Sequence, residues 1–435
     1  MHLLLTGDLH IGRSSSGVAT AQAGLRAADA WDRIVDLALE RSVVAVVISG
    51  DVVDQSNRFF EATGPLSRGL RRLALKGIRT LAVAGNHDHG VLRALAQQYA
   101  GQEYNFQLLG RNGAWEEAVI EFQGRPAMRI VGWSFPNESH RNDPLDTFPQ
   151  QLSQDLPLIG LVHGDLDVKG SPYAPLSGER LKKQPVAGWL LGHIHAPRLR
   201  QDPGCPWILY PGSPQALDPG EPGVHGAWVA EVLPSSIHAP VQIPLSSVRY
   251  EYITVDVNEA VNETDLRVRL RDELRSRAED CRTESGGSLK ALVADLIVEG
   301  MTPAADKVEL ILGELQEAQD LDTSVAVEVR KFSCRATRPL DIAALAQGKS
   351  LPGVLARLVQ DLESGRDSQA VGEVMGRAMK SVGELPLASW VKRGDSESRL
   401  EFSNQAVRGS VEAAARNLLA GLLAAGPADT EGGRA

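Results

Sequence analysis

Cysteine is scarce in this chain. Its three residues, Cys205, Cys281 and Cys334, stand far apart with no CxxC pair, which excludes a zinc ribbon and a disulfide framework and fits a reducing compartment. Long apolar runs are missing as well, since none approaches the roughly 18 residues that a membrane span needs. Met1 leads straight into the strand-like HLLLT with neither a basic stretch nor an apolar leader core, so a cytoplasmic chain without membrane contact is expected. Positive charge is short too. A formal net charge of -10 argues against a broad basic surface for nucleic acid, although metal ions in an acidic site reverse the local field. No internal repeat is present. With 43% hydrophobic and 23% charged residues over 435 positions, the chain is neither disordered nor fibrous and is long enough for two or three cores.

Residues 1 to about 247 alternate apolar strand-like runs with helix-like segments, the pattern of an α/β domain. Ala27, Trp31, Ile34, Val35 and Ala38 recur at helical spacing between the strands LLLT and VVAVVIS, and most later strands end at a glycine. From 248 to 337 the pattern reads strand, charged helix, strand, helix, strand, which predicts a small second α/β domain. Its second helix should bury Val308, Ile311, Leu312 and Leu315. Residues 338–424 read as helical, with one apolar stripe on Val354, Leu355, Leu358, Val359 and Leu362 and another on Val371, Met375, Met379 and Val382. Residues 425–435 read as a disordered tail.

The chemistry lies in five short motifs at the carboxyl ends of expected strands, where α/β folds place their ligands. They are GDLH (Asp8, His10), GDVVD (Asp51, Asp54), GNHD (Asn86, His87, Asp88), VHGD (His163) and GHIH (His193, His195). Two carboxylates directly after VVAVVIS need a compensating cation, because a buried carboxylate costs several kcal/mol on the order expected for lost solvation. Aspartate oxygens, imidazoles and an asparagine carbonyl together suit Mn, Fe or Zn. A single carboxylate between two ions can bridge them at about 3.5–4 Å, and Asp51 is placed for that role. Glycines 7, 50, 85, 164 and 192 let the backbone turn beside such ions.

This order of motifs resembles the calcineurin-like metallophosphoesterases, and within them the DNA-repair nucleases of the SbcD and YhaO type. The resemblance implies a metallophosphoesterase β-sandwich flanked by helices over the first 247 residues, followed by a small α/β capping domain and a helical partner-binding region. It implies one metal held by Asp8, His10, Asp51 and His195 and a second held by Asp51, Asn86, His163 and His193. Manganese is the favoured metal, with Fe, Zn or Mg as alternatives. His87 would then be a non-ligand imidazole that stabilises the transition state and protonates the leaving oxygen. The stretch YPGSPQALDPGEPGVHG after GHIH resembles the segment that follows the last histidine motif in these nucleases. The implied partners are DNA, a coiled-coil ATPase of the SMC type and a second copy of the chain as a homodimer.

Other residues admit plainer readings. Asp54 stands where archaeal and eukaryotic members have His; it either serves His87 or the nucleotide site, or is a strand-end turn carboxylate. Asp88 and Asp165 are expected to orient imidazoles, and His89 to face solvent from a loop. Arg68, Arg72 and Lys76 share a helical face read as solvated, with Arg71 and Arg79 nearby, and Phe59 and Phe60 either stack on a base or pack in the core. The segment AALAQGKS ends like a phosphate-binding loop, but Ala343 replaces its first glycine. A small-molecule or cyclic-nucleotide phosphodiesterase shares nearly all five motifs and is the rival reading. Protein phosphatases fit less well, because they resemble GDxxDRG and GNHE where this chain has GDVVDQS and GNHD. A non-catalytic scaffold would have lost a ligand, and every expected ligand type is present.

Overall fold

The computed structural model describes residues 1–18, 24–54, 59–153, 155–317, 323–384 and 404–424, with the side chains of 59–61, 382–384 and 424 outside the description. The expected disordered tail at 425–435 and the side chains of Phe59, Phe60 and Val382 therefore lie outside the described residues. Two six-stranded sheets dominate. The first has the order β12 (Val241–Pro244), β11 (Gly226–Glu231), β1 (His2–Thr6), β2 (Ala45–Ile48), β3 (Arg79–Ala82), β4 (Phe106–Leu108). The second runs β5 (Glu116–Phe122), β6 (Arg125–Trp133), β7 (Leu158–His163), β8 (Gly188–Gly192), β10 (Trp207–Tyr210), β9 (Arg198–Arg200).

The central strands of both sheets are parallel, with Leu4 opposite Val46, Val47 opposite Leu81, and Gly160 opposite Trp189. Strands buried on both faces need continuous apolar runs, and HLLLT, AVVI and LIGLVH supply them. Leu3, Leu5, Val47 and Leu81 of the first sheet meet Ile130, Leu161, Leu190 and Leu209 of the second in one core. The opposite face of the first sheet packs on helices α1 (Ala27–Glu40), α2 (Phe59–Ala74) and α3 (His89–Gln98) through Trp31, Ile34, Leu66, Leu70 and Leu92. Trp133, Phe148, Trp189 and Leu181, the last on α4 (Gly178–Lys182), cover the outer face of the second sheet. Each such large side chain, fully buried, contributes about 1.5–3 kcal/mol. The expected α1 stripe of Ala27, Trp31, Ile34, Val35 and Ala38 is buried throughout.

A third sheet has the order β13 (Val248–Asp256), β14 (Ala291–Met301), β15 (Ala326–Thr337), with α5 (Glu263–Glu284) and α6 (Val308–Glu317) between its strands. Val308, Ile311, Leu312 and Leu315 are buried as expected. Compactness divides the chain into two units: Met1–Thr254 with Leu270–Ile297 and Leu312–Ser333, and Val255–Arg269 with Val298–Ile311 and Cys334–Ala435. The smaller unit has its own buried residues in Val257, Leu266, Val298 and Thr302, whose hydroxyl donates to the Ala260 carbonyl at 2.6 Å.

The C-terminal region is helical, with α7 (Ile342–Ala346), α8 (Leu351–Glu363), α9 (Gln369–Glu384) and α10 (Asn404–Ala424). Helices α8 and α10 pack on each other, and the Arg408 guanidinium caps the end of α8 by donating to the carbonyls of Leu362 at 3.0 Å and Asp361 at 3.1 Å. Of the stripe expected on α8, Val359 and Leu362 are buried and Leu355 and Leu358 partly so, while Val354 is 49% exposed and Gly353 and Ala356 are buried instead. On α9, Val371 is buried but Met379 is exposed. Among the described residues no helix is long and apolar enough to cross a membrane.

Candidate metal centre

All five motifs converge at the carboxyl ends of parallel strands from both large sheets. The first sheet delivers Asp8 and His10 after β1, Asp51 after β2, and Asn86 with His87 after β3; the second delivers His163 as the last residue of β7 and His193 with His195 after β8. Such convergence requires backbones to come close, and glycine permits it. A Cβ on Gly192 would run into the Ser49 carbonyl and the His163 ring, and one on Gly85 would run into the Asp51 carboxylate. Four non-glycine residues of the site are also held in left-handed conformation: Asp8 at φ 47°, His10 at 44°, Asp51 at 48° and His193 at 100°. Each such position costs on the order of 1–3 kcal/mol, which the surrounding packing must offset, and clustering of this kind is a mark of function.

Asp8, His10, Asp51, Asn86 and His163 are all buried, with His193 and His195 partly so. Two groups of ligand atoms form, Asp8 with His10 and His195, and Asp8 with Asp51 and His163, the atoms of each within 4.8 Å of one another. Asp8 is common to both groups, and one oxygen of Asp51 faces an imidazole of each. Asp51 Oδ2 lies 3.8 Å from His10 Nε2 and 3.4 Å from His163 Nε2, while Asp51 Oδ1 is occupied by the His87 backbone N–H at 3.0 Å. The Asn86 side-chain oxygen faces His163 Nε2 at 3.0 Å and His193 Nδ1 at 3.2 Å. His10 and His195 bring their Nε2 atoms to 3.0 Å.

The donor set fits divalent cations. Among the described residues, Asp8 Oδ2 and His10 Nδ1 are buried without a hydrogen-bond partner, and the convergent imidazole nitrogens and carboxylate oxygens are hard-to-borderline ligands. The protonation balance of the protein alone shows the same strain. Burial, with the charge of Asp51 beside it, pushes the Asp8 carboxyl up to about 7. Burial lowers His10 to about 4 against the pull of Asp51, and lowers His163 and His193. For Asp51, burial acts upward but the imidazoles of His163, His10 and His87 outweigh it and hold the carboxyl low.

The surrounding residues sort differently from expectation. Asp165 accepts a contact from His193 Nε2 at 3.4 Å and so can orient that ring. Asp88 instead holds backbone: its carboxyl accepts from the N–H groups of Val52 at 2.6 Å and Gly85 at 2.8 Å, joining the second and third motifs. A turn with unpaired N–H groups has a stronger claim on a buried carboxylate than an imidazole further away. His89 is half-buried at the start of α3, with Nδ1 3.2 Å from the Asn86 carbonyl, because the GNHD turn runs directly into that helix. Asp54 faces Arg13 at 3.8 Å. His87 is exposed at the mouth, its ring 5.6 Å from that of His10. Arg72 pairs with Asp36 at 2.6 Å and Arg71 donates to the Tyr104 hydroxyl at 2.7 Å, so both are engaged by the protein itself.

One buried carboxylate went unread in the sequence. Glu221 accepts from His195 Nδ1 at 2.6 Å, from the Ser213 hydroxyl at 2.8 Å and from the Leu217 N–H at 2.9 Å. The His195 pair holds Glu221 down to about 2 although burial acts the other way, and the same pair, with Asp8 and Asp51, lifts His195 to about 9 against its own burial. The only signal was an acidic residue beside Asp218 in a proline- and glycine-rich loop, which ordinarily reads as a turn.

Residues 1–197 match the family model of the calcineurin-like phosphoesterases. That match spans 197 of the 435 residues, and over it the chain resembles this family. Over 238 residues the chain is 30% identical to YhaO of Bacillus subtilis strain 168, an uncharacterized metallophosphoesterase; the match covers 54% of this chain and 56% of the YhaO length. Among solved structures, TT1561 of Thermus thermophilus is similar at 16% identity and a TM-score of 0.33, covering 49% of this chain and 89% of that one. A dimetal phosphatase from Danio rerio is similar at 14% identity and a TM-score of 0.33, covering 53% and 92%. Both superpositions are too loose to carry residues across. The reading of a metal centre rests on the geometry of this chain, in which two groups of candidate metal-ligating side chains share Asp8.

Proposed function

We propose that the chain is a two-metal phosphodiester hydrolase that acts on DNA, as an exonuclease, beside a coiled-coil ATPase of the SMC type. The observation that carries the hydrolase reading is Asp51 Oδ2, which stands between an imidazole of each ligand group while its other oxygen is fixed by a backbone N–H. Asp8, His10, Asp51 and His195 would hold one ion, and Asp51, Asn86, His163 and His193 the other. When bound, such ions supply the charge that polarises a phosphoryl group and lowers the pKa of water. The chain's own residues do the rest. Asp165 and Glu221 orient imidazoles, and His87, exposed at the mouth and tethered through its N–H to Asp51, is the group placed to give a proton to a leaving oxygen.

DNA is the favoured substrate because the order of the five motifs resembles DNA-repair nucleases and because a long extension follows residue 245. Manganese is the favoured metal, given the mixed oxygen and nitrogen donors. One observation favours a small diester instead: Arg72, on the cationic face it shares with Arg68 and Lys76, is tied to Asp36, and the neighbouring Arg71 to Tyr104. Digestion of end-labelled duplex and single-stranded DNA with Mn or Mg, beside bis-p-nitrophenyl phosphate and cyclic nucleotides, separates the two. Shortening of DNA from an end supports the nuclease; turnover of cyclic nucleotides with intact DNA supports the rival. The ATPase is expected to dock on the helices beyond residue 338, and the chain to act as a homodimer. A chain ending at Arg338 should then keep its metals and diesterase activity while losing the ATPase, and loss of the metals would assign those helices to the core.

A further inference from the structure

We infer that Glu221 is the positioning residue of the metal held by Asp8, His10 and His195. This rests on the dimetal reading above and adds to it a residue outside the five motifs. His195 has two ring nitrogens, and only one faces the other ligands: Nε2 lies 3.0 Å from His10 Nε2, while Nδ1 lies 2.6 Å from Glu221 Oε1. A carboxylate accepts, so Nδ1 carries the proton and the lone pair of Nε2 is turned towards the ligand group. An outer carboxylate of this kind fixes both the tautomer and the ring plane of a metal-ligating histidine.

Glu221 is itself held rigidly. It is 5% exposed, its second oxygen takes the Ser213 hydroxyl and the Leu217 N–H, and its own N–H donates to the Asp218 carbonyl at 2.9 Å. Ser213 is backed by His225, whose Nδ1 lies 2.8 Å from the Ser213 carbonyl. The loop that carries these residues is fastened from beneath by Gln215, 1% exposed, which accepts from Arg33 at 2.8 Å and donates to the Ser15 hydroxyl at 3.1 Å. If Glu221 served only to shape the loop, a neutral amide would do as well at less desolvation cost. Among the described residues the only group of opposite charge that pairs with it is the His195 ring. A buried carboxylate held against one imidazole is spent on that imidazole.

The test is calorimetric titration of metal-free wild-type protein, Glu221→Gln and Ser213→Ala with Mn2+, with thermal melts of each. The expected result is two ions on each protein, one of them about 10–100-fold weaker in Glu221→Gln and weakened less in Ser213→Ala, the other unchanged. Hydrolysis of bis-p-nitrophenyl phosphate by Glu221→Gln should recover as Mn2+ is raised, which a purely structural defect would not allow. In the Zn-loaded wild type, nitrogen NMR should show His195 protonated at Nδ1. Wild type that binds two ions, with Glu221→Gln binding both unchanged or losing both equally, overturns the inference alone. Should Glu221→Gln fail to fold, Ser213→Ala and the wild-type spectrum decide: an unprotonated Nδ1 or an unchanged Ser213→Ala overturns it. Wild type that binds no ion overturns the dimetal reading, and this inference with it.

Discussion

The strand ends of the two large sheets and the helix α5 both gather charged side chains, in opposite ways. At the strand ends Asp8, His10, Asp51 and His163 are 0–2% exposed, two of their polar atoms lack partners, and the backbone beneath three of them is left-handed. On α5 the charges pair with near neighbours at the surface, Arg267 with Glu263 at 2.9 Å and Arg282 with Glu279 at 3.3 Å, each partly exposed. Exposed pairs are worth about 0.2–1 kcal/mol and cost little to form. Buried, incompletely paired carboxylates destabilise the protein by itself. The difference teaches that burial without full pairing, rather than charge density, marks where chemistry is to be expected.

The sharpest way to break this contrast is at Asp51. Asp51→Asn exchanges the anionic oxygen that faces an imidazole of each ligand group for a neutral amide, so both ions should be lost and diesterase activity should fall to background; retained stoichiometry by metal analysis would contradict its bridging role. Next comes His87→Gln. Because His87 is exposed and lies outside both ligand groups, two ions should still bind while DNA cleavage slows by about 10²–10⁴-fold, and release of p-nitrophenolate, which needs no proton, should suffer less. Equal loss on both substrates would assign His87 to charge stabilisation instead.

A smaller effect follows from pH. Burial first, and Asp51 second, holds the Asp8 carboxyl up to about 7, and His195 is raised to about 9 by Glu221, Asp8 and Asp51 in spite of burial. Ligands must lose their protons to bind, so ion affinity should rise from pH 5 towards 9 with protons released, measurable by titration in buffers of different ionisation enthalpy. In the metal-free fold the linkage has the opposite sense for both. Each group holds its proton more tightly folded than unfolded, so its contribution is present below the unfolded pKa and is lost as pH rises through about 7 for Asp8 and about 9 for His195. Metal-free melting temperatures should fall over that range, and metal-loaded ones should not. The smallest effect is expected on α5: Glu263→Gln should shift stability by about 0.3–0.5 kcal/mol, less in high salt, with metal binding unchanged.

Much of this was legible beforehand, for a physical reason. Strands buried on both faces require continuous apolar runs, and the ligand residues had to follow those runs directly, so Asp8, Asp51, His163 and His193 could be placed at strand ends from pattern alone. What escaped depends on distance through space. Glu221 meets His195 only because the loop after β10 folds back beneath it, and Asp88 turns to the Val52 and Gly85 N–H groups rather than to an imidazole. At the edge of the α8 stripe the same limit applies. Apolar periodicity cannot tell that Ala356 is buried there and Val354 exposed.

The most direct test counts Mn2+ ions bound to the metal-free wild-type chain while following bis-p-nitrophenyl phosphate hydrolysis in the same titration. Two ions per chain are predicted, with turnover appearing only as the second site fills. One ion or none at saturation, or full turnover with every ion chelated, would contradict a two-metal phosphodiester hydrolase.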